Sequence, residues 1–189
     1  MLYAGYSFTD QAISELLAID APTRNLVVPL FTLYDVFLVA FALGVWLSAG
    51  EKRVLRIMAG LMVGNAATGL MLWNVFPMHM QGVEATFTDT MHILLAGVGV
   101  IFILLVVVLG SSVFGRRFRF YSIGTILMFI APTILIFLFL SVSLPQLSEE
   151  TVTMPPLTGV SERISSYVCL LWQVVLSIVL LRSEREPAS

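Results

Sequence analysis

The residues best suited to chemistry lie in one short segment, "FPMHMQGVEATFTDTMH" at 76–92. It contains both histidines of the chain, His79 and His92, together with Glu84 and Asp89. Imidazole and carboxylate groups are common zinc ligands and common general acids and bases. A divalent metal held by His79, His92 and either Asp89 or Glu84 would leave a water molecule to be activated for hydrolysis. The segment is therefore a candidate metal or proton-transfer site.

The same residues also have structural explanations. Asp89 and His92 are three apart, so a helix places them on one face. Asp89 or Thr88 is a natural N-cap for a helix that starts here, and a carboxylate suits the positive end of the helix dipole. The chain has no HExxH-type motif. This pattern favours a hydrogen-bonded cluster of His79, Asp89 and His92, joined by Arg163, over a metal site.

The elements that position this segment are membrane-spanning helices. Of the 189 residues, 58% are hydrophobic and only 12% are charged, whereas soluble domains carry about 25% charged residues. A helix needs roughly 20 mainly apolar residues to cross a bilayer. Five stretches meet that requirement, near residues 27–48, 54–76, 91–113, 120–143 and 164–182.

The predicted fold is an all-α membrane protein, a compact bundle of five transmembrane helices preceded by a short amphipathic interfacial helix. In residues 7–20, Ile13, Leu16 and Leu17 recur at helical spacing, which predicts that short helix on the outer membrane surface. The predicted parts are an extracytoplasmic segment at 1–26, the bundle at 27–182 and a cytoplasmic tail at 183–189.

The basic residues indicate the orientation. Eight of the ten fall on one side of a five-span topology: Lys52, Arg53, Arg56, Arg116, Arg117, Arg119, Arg182 and Arg185. By the positive-inside rule that side is cytoplasmic, so the N-terminus is expected outside and the C-terminus inside. The net charge of −2 gives no basic surface for nucleic acid, so the expected partner is the lipid bilayer. The single cysteine, Cys169, excludes an internal disulfide.

Three polar residues interrupt the apolar spans. Asp35, in "TLYDVFLVAF", lies about eight residues into the first span, roughly 12 Å along the helix. An ionisable group at that depth costs several kcal/mol unless it is paired, hydrated or neutralised. Asn65 and Gln173 lie near the middle of spans two and five, so we expect an inward-facing polar layer of all three residues. In one interpretation, Asp35 is protonated and the layer is a hydrogen-bonded cluster. In the other, Asp35 accepts protons or binds a ligand in a cavity open to the outside.

Arg163 is the outer-side cation best placed to interact with a carboxylate, since it precedes the last span. Its candidate partners are Glu15, Glu84 and Asp89. A surface ion pair of this kind contributes about 0 to 1 kcal/mol. A guanidinium partly buried under the N-terminal helix would instead bind a phosphate or carboxylate headgroup.

Several segments together resemble the bacterial multi-pass membrane family called domain of unknown function 998. They are "GYSFTDQAISELLAIDAPTR", "VFPMH", "TFTDTMHILLAGVGV", "RRFRFYSI" and "GVSERI", and the likeness runs from about residue 5 to 182. The resemblance implies a small helical bundle in the bacterial cytoplasmic membrane, with no established biochemical role. Family members usually carry one more span before "GYS", which would make this chain a short member or one whose start codon was assigned too late.

Three functions are compatible with these residues. The first is a non-catalytic module whose outer-side pocket binds a lipid headgroup or small amphiphile. Its pocket would be formed by Arg163, His92, His79, Asp89, Glu84 and Glu15. The second is an intramembrane hydrolase, with His79, His92 and Asp89 as metal ligands and Glu84 as a base. The third, favoured only by Asp35, is a transporter or channel subunit. No cofactor is expected, and the sequence does not determine the oligomeric state.

Overall fold

The structure, a computed structural model, describes residues 3–80, 84, 86–143 and 156–185. Its main elements are five long helices. The helices are α1 (Arg24–Leu47), α2 (Arg53–Asn74), α3 (Phe87–Gly110), α4 (Gly115–Ser143) and α5 (Thr158–Arg185). All five contain stretches that are long and apolar enough to cross a membrane. No strand occurs in the described part of the chain. The prediction of an all-α, five-span membrane protein is confirmed.

The N-terminal segment, residues 3–23, is less helical than its apolar spacing predicts. Only Ser14–Leu17 is helical, as a single turn of 3-10 helix. The hydroxyl of Ser7 donates to Asp10 Oδ2 at 2.7 Å and accepts from the backbone N–H of Asp10 at 3.3 Å. Such local side-chain bonds compete with helix formation. The side chain of Leu17 is almost wholly buried, so the segment packs on the protein.

The helices pack in two groups. α2 packs against both α1 and α3, whereas α4 packs mainly against α5. Trp172 of α5 joins the two groups. Its indole N–H donates to Ser122 Oγ of α4 at 2.9 Å. Its ring packs on α3, where a β-carbon added at Gly110 would lie 2.6 Å from it. The buried core around it includes Leu38, Val45, Met58, Met62, Val106, Val107 and Leu176.

The two ends of the bundle differ in character. The capped end carries the N-terminal segment, the chain between α2 and α3, and the first turn of α5. There the backbone N–H of Ile19 donates to the Met78 carbonyl at 2.8 Å, and that of Val160 donates to the Thr9 carbonyl at 3.0 Å. The opposite, basic end carries the short α1–α2 and α3–α4 connections, and with them the clustered lysine and arginine residues.

Candidate functional site

The start of α3 is closed by a capping box between Thr86 and Asp89. Thr86 is the N-cap, and its side chain accepts from the backbone N–H of Asp89. In return, Asp89 Oδ2 accepts from the backbone N–H of Thr86 at 2.8 Å. This arrangement satisfies helix-terminal amides that have no partner within the helix. The prediction that Asp89 or Thr88 is the N-cap is therefore wrong, because the cap lies further upstream and Asp89 closes it from the first turn.

The same carboxylate holds His79. The backbone N–H of His79 donates to Asp89 Oδ1 at 2.7 Å, and its ring Nδ1 lies 2.9 Å from Asp89 Oδ2. Because the carboxylate is the acceptor, we assign the shared proton to Nδ1. The His79 side chain is 27% exposed. Its other ring nitrogen, Nε2, has no hydrogen-bond partner among the described residues, so it is the free polar atom of this pair.

His92 has a separate, structural environment. It is only 7% exposed, and its Nδ1 donates to the Phe76 carbonyl at 2.8 Å. Its ring also meets Trp73 edge-on, with the ring centroids 6.0 Å apart. His92 thus ties the end of α2 to the first turns of α3 and does not share the bond between His79 and Asp89.

The donor groups in this region do not converge as a metal site requires. Within the described ranges, no three His, Cys, Asp or Glu side chains are grouped so that they could hold a metal ion. Glu84 is exposed. The nearest approach to the predicted ligand set is the His79–Asp89 pair alone.

Arg163 is buried in the wall of the capped end. Only 6% of it is exposed. Its Nη1 donates to the carbonyls of Phe8 at 2.9 Å, Gln11 at 3.3 Å and Gly159 at 2.8 Å, while Nη2 donates to the Tyr6 hydroxyl at 2.7 Å. The guanidinium also lies over the Phe8 ring, 3.9 Å from its centroid. Arg163 therefore attaches the N-terminal segment to α5 and stands apart from the His79–Asp89 pair.

Two carboxylates lie in the same region, and their bonds differ: Glu15 bonds within the N-terminal segment, whereas Glu162 bonds from α5 to that segment. Glu15 is 1% exposed and accepts from the Gln11 side chain at 2.7 Å and from the backbone N–H of Ala12 at 3.1 Å. Glu162 accepts from the backbone N–H of Ile13 at 2.6 Å. Burial raises the pKa of the Tyr6 hydroxyl, although its bond from Arg163 acts in the opposite direction. The cluster is a buried polar seam between two segments.

Tyr6 and Phe8, two partners of Arg163, are not among the site residues predicted from the sequence. Two aromatic side chains in the segment before the first span, with an arginine in the second turn of the last span, form a pattern that favours a cation–π contact. That signal is present in "GYSF" and "GVSERI", and it would have pointed to the attachment.

The predicted polar layer divides into separate contacts. Asp35 is 3% exposed, and its carboxylate accepts from the Trp73 indole N–H at 3.1 Å. It also lies against α2, since a β-carbon added at Gly69 would be 2.6 Å from both carboxylate oxygens. Gln173 instead donates from Nε2 to the Tyr34 hydroxyl at 3.1 Å. Consecutive residues on a helix point about 100° apart, so Tyr34 and Asp35 contact different helices.

Comparisons with known proteins agree with this architecture. The family described as "Protein of unknown function (DUF998)" matches the chain over residues 1–179. Comparison with curated proteins and with solved structures gives no match. The family match covers all of α1 to α4 and most of α5. This multi-pass helical membrane protein therefore belongs to the DUF998 family.

Proposed function

We propose that the protein is a non-catalytic membrane module that binds the headgroup of a lipid or small amphiphile at its capped end, with His79 as the binding residue. The observation that carries this proposal is the state of the His79 ring. Asp89 holds Nδ1 at 2.9 Å, while the partly exposed ring keeps Nε2 without a partner in the described part of the chain. In a protonated imidazole both nitrogens are donors, so Nε2–H of a protonated His79 would donate to a phosphate or carbonyl oxygen while Nδ1–H stays bonded to Asp89.

The surroundings of His79 suit an amphiphile. The Thr86 and Thr88 hydroxyls lie 2.8 Å apart, and the Thr86 hydroxyl is 3.4 Å from His79 Nδ1, so they add polar groups near the ring. Phe87, between them in sequence, is 72% exposed and packs edge-on against Phe76. An exposed aromatic ring beside polar groups is typical of the membrane interface, where one end of a lipid is apolar and the other is polar.

The other candidate residues have different roles in this proposal. Arg163, His92 and Glu15 are each less than a tenth exposed and bond within the protein. They stabilise the capped end rather than contact a headgroup. Asp89 fixes the orientation of His79, and Glu84, which is exposed, is a secondary contact.

The proposal includes an orientation in the bacterial cytoplasmic membrane. The capped end faces outside and the C-terminal end of α5 faces the cytoplasm. The support is the clustering of lysine and arginine at the basic end, since such residues favour the cytoplasmic side. The bound amphiphile would then belong to the outer leaflet.

The test is a titration of purified protein, in mild detergent, with dihexanoyl phosphatidylglycerol while the melting temperature is followed. A ligand that binds the folded state raises the melting temperature. Loss of one charge-assisted hydrogen bond in His79→Ala should weaken binding about tenfold or more. Arg119→Ala, at the basic end, is the matched control for nonspecific attraction of an anionic lipid. Equal titrations for wild type and His79→Ala would contradict the proposal, as would equal losses in both variants.

A second candidate is a hydrolase that uses His79 as a general base. An imidazole whose Nδ1 is held by a carboxylate has the arrangement of an oriented base, and its free Nε2 would take a proton from water. Release of fatty acid or headgroup from vesicles, abolished by His79→Ala and reduced by Asp89→Asn, would support hydrolysis. Intact lipid after prolonged incubation with wild-type protein would argue for binding alone.

A further inference from the structure

A cavity interrupts the packing between the two helix groups. Its volume is about 20 Å³, and it is not sealed. Residues of four helices line it: Leu38, Asn65, Ile103, Cys169, Trp172 and Gln173. Nearer the basic end the packing is close, since a β-carbon added at Gly110 would lie 2.6 Å from the Trp172 ring and 3.1 Å from Met58 Cε. The two groups of helices are thus in contact at Trp172 and leave a gap on the side toward the capped end.

Two side-chain amides line this cavity, and some of their donor and acceptor atoms have no hydrogen-bond partner among the described residues. The Asn65 side chain, partly buried, makes no hydrogen bond with the residues the structure describes, although a carboxamide offers two donors and an acceptor. Gln173 uses its Nε2 on Tyr34, at 3.1 Å, and its Oε1 has no partner in the same ranges. No fully buried side-chain nitrogen or oxygen of the described residues lacks a hydrogen-bond partner, so these unbonded amide atoms are open to the cavity.

The chemistry of the lining limits what would bind. None of the lining residues carries a full charge, so an anionic or cationic group would be desolvated without a counter-charge. A hydroxyl or carbonyl group is the complement of a carboxamide. A space of about 20 Å³ accommodates one such group or one water molecule. Any larger molecule would have to leave its apolar body outside, along the lipid-facing surface.

We propose that this cavity binds the neutral polar end, a hydroxyl or carbonyl, of a lipid-soluble molecule, with Asn65 and Gln173 as its hydrogen-bonding residues. Because the cavity is not sealed, the apolar part of the molecule extends between the two helix groups toward the bilayer. This site is separate from His79 and does not depend on the function proposed for the capped end.

The test uses the full-length protein in lipid vesicles and a diazirine-bearing octanol as photoaffinity probe. Peptide mass spectrometry locates the adducts, and unlabelled octanol competes for the site. We expect saturable labelling of the peptides that contain Asn65 and Cys169 to Gln173. The corresponding diazirine-bearing octane, which lacks the hydroxyl, should label these peptides without saturation.

Substitution separates recognition from simple access. Asn65→Leu keeps the number and branching of the side-chain heavy atoms and removes the hydrogen bonds, so saturable labelling by the alcohol should weaken about fivefold, as expected for one lost neutral hydrogen bond. Ser177→Ala, one turn beyond Gln173, is the matched control, because, among the described residues, the Ser177 hydroxyl bonds to the Val174 carbonyl of its own helix.

Three outcomes would overturn the proposal. Labelling that unlabelled octanol does not reduce would mean that the cavity is not a binding site. Equal labelling of wild type and Asn65→Leu would mean that the amide does not recognise the hydroxyl. A higher melting temperature for Asn65→Leu, with no specific adduct in wild type, would mean that the amides only hold water.

Discussion

His79 and Asp89 are joined twice, by the backbone N–H of His79 at 2.7 Å from Oδ1 and by its ring Nδ1 at 2.9 Å from Oδ2. The second oxygen also accepts from the backbone N–H of Thr86, at 2.8 Å, which closes the first turn of α3. One carboxylate therefore fixes the start of a helix and the orientation of an imidazole. The stability of the capped end and any chemistry of His79 depend on the same residue.

Replacement of Asp89 by Ala should lower both stability and headgroup binding. The loss of the capping box alone should cost about 0.5–2 kcal/mol of folding free energy, measured by thermal unfolding in detergent. Thr86→Ala should cost a similar amount, and the double variant should cost less than the sum because the two residues form one box. Thr88→Ala is the control, since the Thr88 hydroxyl bonds to Thr86 and takes no part in the box. If the stability losses of the two single variants add up in the double variant, Thr86 and Asp89 do not act as one capping box.

Arg163→Lys should loosen the N-terminal segment although it keeps the positive charge. A lysine cannot reproduce the bonds of two guanidinium nitrogens to three carbonyls and the Tyr6 hydroxyl. Hydrogen exchange in residues 3–20 should become about tenfold faster, since buried acceptors lose their partner. Arg182→Lys, exposed at the other end of α5, should leave exchange in this segment unchanged. Unchanged exchange in Arg163→Lys would show that the guanidinium is dispensable.

Gly69→Ala should disrupt the contact between α1 and α2. The added methyl group would lie 2.6 Å from the Asp35 carboxylate oxygens, and overpacking of this kind typically costs about 1–3 kcal/mol. Gly60→Ala, on the same helix, meets nothing within 4 Å and should be tolerated. Combining Gly69→Ala with Asp35→Ala should recover part of the loss, because the clashing group is gone. A double variant as unstable as the sum of its parts would argue against this contact.

Acidification should weaken the attachment of the N-terminal segment to α5. The hydroxyl of Ser7, and then the backbone N–H of Leu157, bond to Asp10 and hold the pKa of its carboxyl below the ordinary value of 3.8. The bonds to the ionised Asp10 carboxylate stabilise the fold fully at pH values above 3.8, the pKa of an unperturbed Asp. This stabilisation is lost as the pH falls from 3.8 through the lower pKa of the folded state. Limited proteolysis of residues 3–20 should therefore accelerate below about pH 3.8, and less so in Asp10→Asn. An identical pH response in the variant would assign the effect to another group.

The orientation can be tested with a membrane-impermeant maleimide on intact cells. In a Cys169→Ala background, Glu84→Cys should be labelled from outside, whereas Lys52→Cys should react only after permeabilisation. Both positions are exposed, so a difference reports on sidedness rather than burial. The reverse pattern would contradict the proposed orientation.

The five spans could be predicted from the sequence, because the hydrophobicity and length of a segment are local properties. The partners of Asp35, Gln173 and Arg163 depend on how each helix is rotated about its own axis. In helices that are apolar on nearly every side, sequence periodicity specifies that rotation poorly.

The conformation of the N-terminal segment also could not be predicted from the spacing of its apolar residues. Ile13, Leu16 and Leu17 have the spacing of a helix, yet local bonds of Ser7 and Asp10 and the carbonyl-binding guanidinium of Arg163 hold most of the segment in another conformation. The sequence shows which residues are polar and which stretches are apolar, although α3, α4 and α5 begin four to six residues before the predicted starts of their spans. The tertiary structure sets the bonds of Arg163 within the protein and leaves His79 Nε2 without a partner among the described residues, because both depend on contacts between separate segments of the chain.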